Sequence, residues 1–186
     1  SDVCSSDLLN GWVRVWEAQT GRLITEWNYP GLEFAEPRYS PDGALLALGT
    51  QGANFVEIRD AHSLRVLRRL EGVGDYVQDF HFSPDGSRLA VIYPDYSMRL
   101  WDVEDWRLIV AGPAHGALVT DFSFSSDGHT FMTAAFDGEV KIWDAETGRH
   151  LRTFHEGRDA IRSASFSPDG RLVIAAAGEN LHIWDR

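Results

Sequence analysis

The chain has 186 residues, 44% of them hydrophobic and 12% aromatic with seven Trp, enough apolar surface for one good core or two small ones; a disordered tail or a stapled mini-protein is excluded. Seventeen basic against 28 acidic residues leave a net charge of −11, which argues against a broad phosphate-binding surface and a polybasic membrane contact, so neither nucleic acid nor a membrane is an expected partner. The longest apolar run, 172–177, falls far short of the roughly 20 residues of a bilayer span, no charged-then-apolar leader is read at the start, and the single Cys4 makes no internal disulfide or thiolate metal site; a cytoplasmic location is expected.

In chain order, residues 1–8 fit no repeating pattern. Their Ser-Asp-Val-Cys-Ser-Ser-Asp-Leu string resembles translated adapter sequence, and this head is expected to be non-native, leaving 9–186 as the folded part. From Gly11 to Trp16 apolar residues alternate, as in a strand, and Thr20-Gly21 turns the chain. A Ser40-Pro41-Asp42-Gly43 corner follows, in which Pro presets one turn dihedral and Gly accepts positive φ. The corner recurs as Ser83-Pro84-Asp85-Gly86, Ser125-Ser126-Asp127-Gly128 and Ser167-Pro168-Asp169-Gly170. A second marker keeps step with it: short strands end at Trp16, Arg59, Trp101, Trp143 and Trp184, about 42 residues apart. Within one unit the expected strands are 76–82, 88–93, 97–101 and 107–111, a four-stranded meander. No stretch of ten residues shows helical periodicity.

Such a meander carries apolar residues on both faces, Leu89 and Val91 against Ala90 and Ile92, and has to be covered on both. Repetition at this period is the pattern of radially arranged four-stranded blades. Over residues 9–186 the chain resembles the WD-repeat β-propeller proteins, whose pattern is a Gly-His pair, a Phe-Ser-Pro-Asp-Gly corner, an Asp six residues before a Trp, and a terminal Trp-Asp. The resemblance implies an all-β fold, an arc of about four antiparallel blades plus a partial one, belonging to a ring that in this family most often has seven. It also implies a structural hydrogen-bond tetrad at His115, Thr133, Asp137 and Trp143. Other units keep less of it: Asp95 and Trp101 remain in the third, with Val73 and Val91 at the other places; Arg59 and Ala53 replace Trp and Asp in the second; the last keeps Trp184 with Gly157, Ile174 and Gly178; the first partial unit has Asn10 and Trp16.

Chemistry of other kinds is not expected. The chain lacks a phosphate loop, a Cys-x-x-Cys and a Gly-x-Ser-x-Gly elbow, and its seven His are scattered over units, so no cofactor, metal or small-molecule substrate is inferred. The spacing of His115, Thr133 and Asp137 coincides with the structural tetrad and not with a nucleophile, base and orienter. In the family resembled, partners dock on the rim beside the first-strand entries and the turns before third strands; carried over, those places include Glu33, Tyr76, Gln78, Phe136 and Arg162. Aromatic and Arg side chains there match the composition of binding hot spots. The expected function is a non-catalytic scaffold holding rim loops for a protein or peptide, as the sensing or docking part of a larger signalling protein; its Ser-Pro-Asp-Gly and Thr-Gly-Arg phrasing resembles bacterial arrays. The alternative is the propeller domain of a hydrolase or quinone-dependent enzyme whose catalytic residues lie elsewhere, Asp144 to Arg149 having some likeness to quinone-dependent repeats.

Overall fold

The computed structural model describes residues 3–7, 11–31, 33–34, 37–155 and 159–186, without the side chains of 3–7 and 33–34. The described residues form strands and turns and no helix. Two compact units divide the chain, Ser1–Asp79 and Phe80–Arg186.

The first unit opens with a three-stranded sheet of β1 (Val3–Asp7), β2 (Trp12–Trp16) and β3 (Leu23–Asn28), and its second sheet contains β4 (Glu33–Phe34), β5 (Arg38–Tyr39), β6 (Leu45–Gln51), β7 (Phe55–Asp60) and β8 (Val66–Glu71). Both β4 and β5 pair with β6, so the first strand of this sheet is interrupted. Val3–Asp7, within the head read from sequence as non-native, pairs antiparallel with β2 over its whole length, from Val3 opposite Trp16 to Asp7 opposite Trp12. Strand pairing is a backbone interaction, and a segment without the repeat's side-chain pattern can still extend a ladder whose N–H and C=O groups need partners.

The second unit holds three sheets. The third sheet comprises β9 (Asp79–Phe82), β10 (Arg88–Ile92), β11 (Ser97–Asp102) and β12 (Leu108–Pro113). The fourth comprises β13 (Val119–Phe124), β14 (Thr130–Ala135), β15 (Glu139–Asp144) and β16 (His150–His155), and the fifth β17 (Ile161–Phe166), β18 (Leu172–Ala177) and β19 (Asn180–Asp185). All are antiparallel meanders, as blades require. The strand expected over 76–82 is shorter, because Tyr76 bridges Gln51 and the Val77 N–H donates to the Thr50 carbonyl, committing that backbone to β6 of the second sheet.

The repeated corners explain their own sequence. In each, the Ser hydroxyl donates to the Asp carboxylate and accepts from the backbone N–H five residues on, at 2.9 Å for Leu45, Arg88 and Leu172 and 3.1 Å for Thr130. The Asp accepts in turn from the N–H two residues later, and the Gly sits at φ of 70–74°. Ser83 and Ser125 are fully buried, so an Ala there would strand polar backbone. A second device recurs where the third strand meets the fourth: the register shifts at Trp16, Arg59, Trp101 and Trp143, a bulge in each of the first four sheets.

Packing follows from two-faced burial. Leu89, Ala90, Val91 and Ile92 are all at most 1% exposed, and all six residues of β14 are buried. Between the third and fourth sheets Ala90, Ile92, Met98 and Leu100 meet Val119, Phe122, Phe131 and Trp143; between the fourth and fifth, Met132, Ala134, Val140 and Ile142 meet Ile161, Ala164, Val173 and Ala175. In the first unit Val13 packs with Leu46 and Leu48. Each such large side chain contributes about 1.5–3 kcal/mol on burial, and a single sheet could supply only one wall of these cores.

Candidate functional site

The connection after β12, the centre of β14, the turn after it and the end of β15 bring His115, Thr133, Asp137 and Trp143 into one hydrogen-bonded chain. The Trp143 indole N–H donates to Thr133 Oγ1 at 2.9 Å, Thr133 Oγ1 lies 2.7 Å from His115 Nε2, and His115 Nδ1 lies 3.0 Å from Asp137 Oδ2. Asp137 also accepts from the backbone N–H of Gly116 at 2.9 Å. Burial holds the imidazole below its ordinary pKa despite the neighbouring carboxylate, so it is neutral, with Nδ1–H donating to Asp137 and Nε2 accepting from the Thr133 hydroxyl. Burial pushes Asp137 up, and the N–H of Gly116 with His115 outweighs it, leaving the carboxyl below its usual range. Thr133 is fully buried and already accepts from the indole; no substrate reaches it, and the chemistry available is locking one sheet to the connection that enters it. Glu139 offers a third ligand atom within 4.8 Å of His115 and Asp137. Both imidazole nitrogens are engaged, however, and Glu139 is already paired with Lys141 Nζ at 3.1 Å, so the three groups are not free to share a metal ion.

The other sheets solve the same problem differently. In the third, Val91 stands where Thr133 stands, and Trp101 Nε1 is buried without a hydrogen-bond partner among the described residues, while Asp95 accepts from the Ser97 N–H within its turn. In the fifth, Trp184 stacks on Phe154 at 5.2 Å, with Ile174 and Gly178 in the pattern's other places. Asn10 and Gly157 lie outside the described residues. In the second sheet the replacement is ionic. Glu57, 0% exposed, receives Arg59 Nε at 2.7 Å, Arg69 Nε at 3.1 Å and the Tyr29 hydroxyl at 2.8 Å. The Arg59 guanidinium also donates to Tyr29 and to the Leu64 carbonyl and lies 4.2 Å above the Trp27 ring. Burial and the Glu57 carboxylate push the Tyr29 phenol above its ordinary range. Sequence reading missed this network. Its signal was Val56-Glu57-Ile58-Arg59, which sets two charges on one strand face where Val140-Lys141-Ile142-Trp143 sets one.

The rim residues are placed as follows. In the first unit Tyr76 is 38% exposed at the bridge to Gln51, Gln78 is half-buried, and Glu33 has its backbone in β4 with its side chain outside the description. In the second unit Phe136 is 49% exposed, its N–H donating to the Leu118 carbonyl at 3.0 Å. Arg162 is exposed at a bulge, where the register between β17 and β18 shifts from Ile161 to Ser163; Thr120 occupies the matching bulge in β13 and donates to the Ile161 carbonyl at 2.9 Å. On the opposite rim a cleft of about 310 Å³ is lined by Asp85, Arg88, His129, Asp144 and Glu146, with Arg88 tied to Asp102 at 3.0 Å and to the Ala145 carbonyl at 3.2 Å.

Residues 106–144 and 148–185 each match the family model described as "WD domain, G-beta repeat". These two stretches are WD repeats. It is 28% identical over 106 residues to telomerase protein component 1 of Rattus norvegicus, covering 57% of this chain and 4% of that protein. It is 27% identical over 108 residues to WD repeat and SOCS box-containing protein 1 of both Xenopus tropicalis and Homo sapiens, covering 56% of this chain and 25% of theirs. The chain thus matches a quarter or less of the length of these relatives. WD repeats generally mediate contacts between proteins. The matched WD repeats are offset from the sheets: 106–144 supplies the outer strand β12 of the third sheet and the inner three strands of the fourth, and 148–185 does the same for the fourth and fifth.

Proposed function

We propose that the chain is a non-catalytic docking platform that presents its rim to a protein or peptide partner, as the sensing or docking part of a larger signalling protein. The observation that carries this reading is Arg162. A β-bulge re-aims a side chain out of the sheet's alternation, and this one exposes an arginine on a frame fixed by Asp121, whose carboxylate accepts from the Ser163 hydroxyl at 2.9 Å and the Ala164 N–H at 3.0 Å. A partner meeting such a residue pays little ordering cost. Tyr76, Gln78, Phe136 and Glu33 are the other proposed contact positions. A cytoplasmic site of action accords with one cysteine in 186 residues.

The test is affinity capture with quantitative mass spectrometry, comparing wild type with the Tyr76→Ala/Arg162→Ala double variant at equal melting temperature. The proteins enriched by the wild type are expected to be lost from the variant. An unchanged set removes both residues from the contact surface.

A further inference from the structure

Among the described residues three other than glycine hold positive φ: Leu64 at 58°, Tyr96 at 68° and Trp106 at 59°. An L side chain there is strained, and the strain persists only where the surroundings over-determine it. Leu64 and Trp106 stand in the turn before the fourth strand, where the fourth sheet has Gly148, and both are partly covered, Leu64 against the core of Val13, Leu46 and Leu48. Packing accounts for Leu64. Tyr96 stands in the turn before β11, where the fourth sheet has Gly138 at 81°, and its side chain is 38% exposed. Burial does not account for it.

The backbone of that turn is fixed. The Tyr96 N–H donates to the Tyr93 carbonyl at 3.1 Å, and the Tyr96 carbonyl accepts from Ala114 at 2.9 Å and His115 at 3.3 Å. The segment 114–118 therefore joins Tyr96 at one end, through His115, to Phe136 at the other, through the Leu118 carbonyl. Two exposed aromatic rings flank one rigid connection. The carboxylates beside it are Asp95 and Asp137, while Glu139 and Lys141 neutralise each other in an ion pair, the Lys141 ammonium also donating to the Ala114 carbonyl at 3.0 Å. Aromatic faces with carboxylates around them favour a cation, and a chain of net charge −11 steers basic partners toward itself.

We propose that Tyr96, with Phe136, receives a lysine or arginine side chain of the peptide or protein that docks on this rim. This rests on the platform reading and names the chemistry of its partner.

Random dodecapeptides displayed on phage are selected against the 186-residue chain, and the enriched sequences are resynthesised for fluorescence anisotropy. Peptides carrying Arg or Lys are expected. Tyr96→Gly and Tyr96→Asn, two residues that accept this φ, should bind them at least tenfold more weakly while melting at or above the wild-type temperature, and replacing the basic residue of the peptide by Ala should cost as much. Enrichment without basic residues overturns the proposal, as does unchanged affinity in both variants, or a drop in melting temperature in both, which would make Tyr96 a structural residue. If peptides bind, ignore Tyr96 and are lost on Arg162→Ala, the platform stands and this inference alone falls.

Discussion

Replacing Thr133 by Val tests the hydrogen-bonded chain with almost no change of shape. Both residues are β-branched, so the fit of β14 between its neighbours and its strand propensity are kept. What is lost is one oxygen, fully buried, which accepts from the Trp143 indole at 2.9 Å and faces His115 Nε2 at 2.7 Å. Each polar atom left buried without a partner costs about 1–3 kcal/mol, and two are stranded, so a loss of about 3 kcal/mol is expected. At about 2–4 °C per kcal/mol for a chain of this size, the melting temperature should fall by about 6–12 °C. Thermal melts followed by near-ultraviolet circular dichroism and urea midpoints give the two readings. Thr133→Ser, which keeps the oxygen, should lose less than about 1.5 kcal/mol. The third sheet supplies the converse: Val91 lies opposite Arg99 as Thr133 lies opposite Lys141, and Trp101 Nε1 has no partner among the described residues. Val91→Thr should therefore gain up to about 1 kcal/mol. A Thr133→Val protein within about 0.5 kcal/mol of wild type would refute the reasoning, since that is the scatter of a neutral substitution.

Three further outcomes are expected. A Cβ on Gly148 would lie 2.4 Å from Val110 Cγ1 and 2.7 Å from its Cβ, at a φ of 69°, so Gly148→Ala should lose about 2 kcal/mol or more in thermal denaturation, with part recovered by Val110→Ala; equal melting of the single variant and wild type would count against this packing. Glu57→Ala leaves the Arg59 guanidinium buried without its carboxylate and should lose about 3–5 kcal/mol, whereas Glu57→Leu with Arg59→Trp, which removes both charges, should recover most of it in a double-mutant cycle. Stability should fall on acidification. His115 titrates below 6.5 in the folded state and Asp137 below 3.8, so the unfolded chain binds more protons; the imidazole contribution is complete above about pH 6.5 and is lost as pH drops through its folded value, the carboxylate contribution following below about pH 3.8. Melting temperatures from pH 8 to pH 3 read this slope, which should flatten below pH 6.5 in His115→Gln.

The parts of the fold legible in the sequence are those where one residue type has one local job. Ser83, Asp85 and Gly86 close their corner with bonds spanning five residues or fewer, so their pattern reports the turn directly. The tetrad was legible because its four side chains keep the spacing of the repeat from 115 to 143. The second sheet was not. Arg59 stands where the pattern has Trp, and the group that makes an arginine tolerable there includes Tyr29, thirty residues away on the connection from another sheet. No local spacing announces a contact of that range. The bulge at Arg162 was hidden for a related reason: alternation through 161–166 reads as a plain strand, and the register shift becomes visible only once β18 is paired with it. Tyr96 was passed over because a tyrosine after Asp95 looks like any exposed aromatic until its φ is known.

The offset between repeat and sheet bears on whether the rim can act as a fixed surface. Because each matched repeat ends one sheet and begins the next, two neighbouring sheets cannot separate without pulling one repeat apart. Between the fourth and fifth sheets the covalent link is reinforced by side chains along the joint. Asp121 holds Ser163 and Ala164, Thr120 holds the Ile161 carbonyl, and Arg152 donates to the Asp185 carbonyl at 3.0 Å. Arg186 reaches across to Asp127 at 3.4 Å. The exposed ion pair adds little, but the bonds from Asp121 and Thr120 sit beside the bulge that carries Arg162, so this exposed residue stands on a firmly tied part of the joint. Loosening it by Asp121→Ala should therefore weaken partner binding through Arg162 without touching the partner, and more than an equal loss of stability placed at Gly148 on the opposite rim.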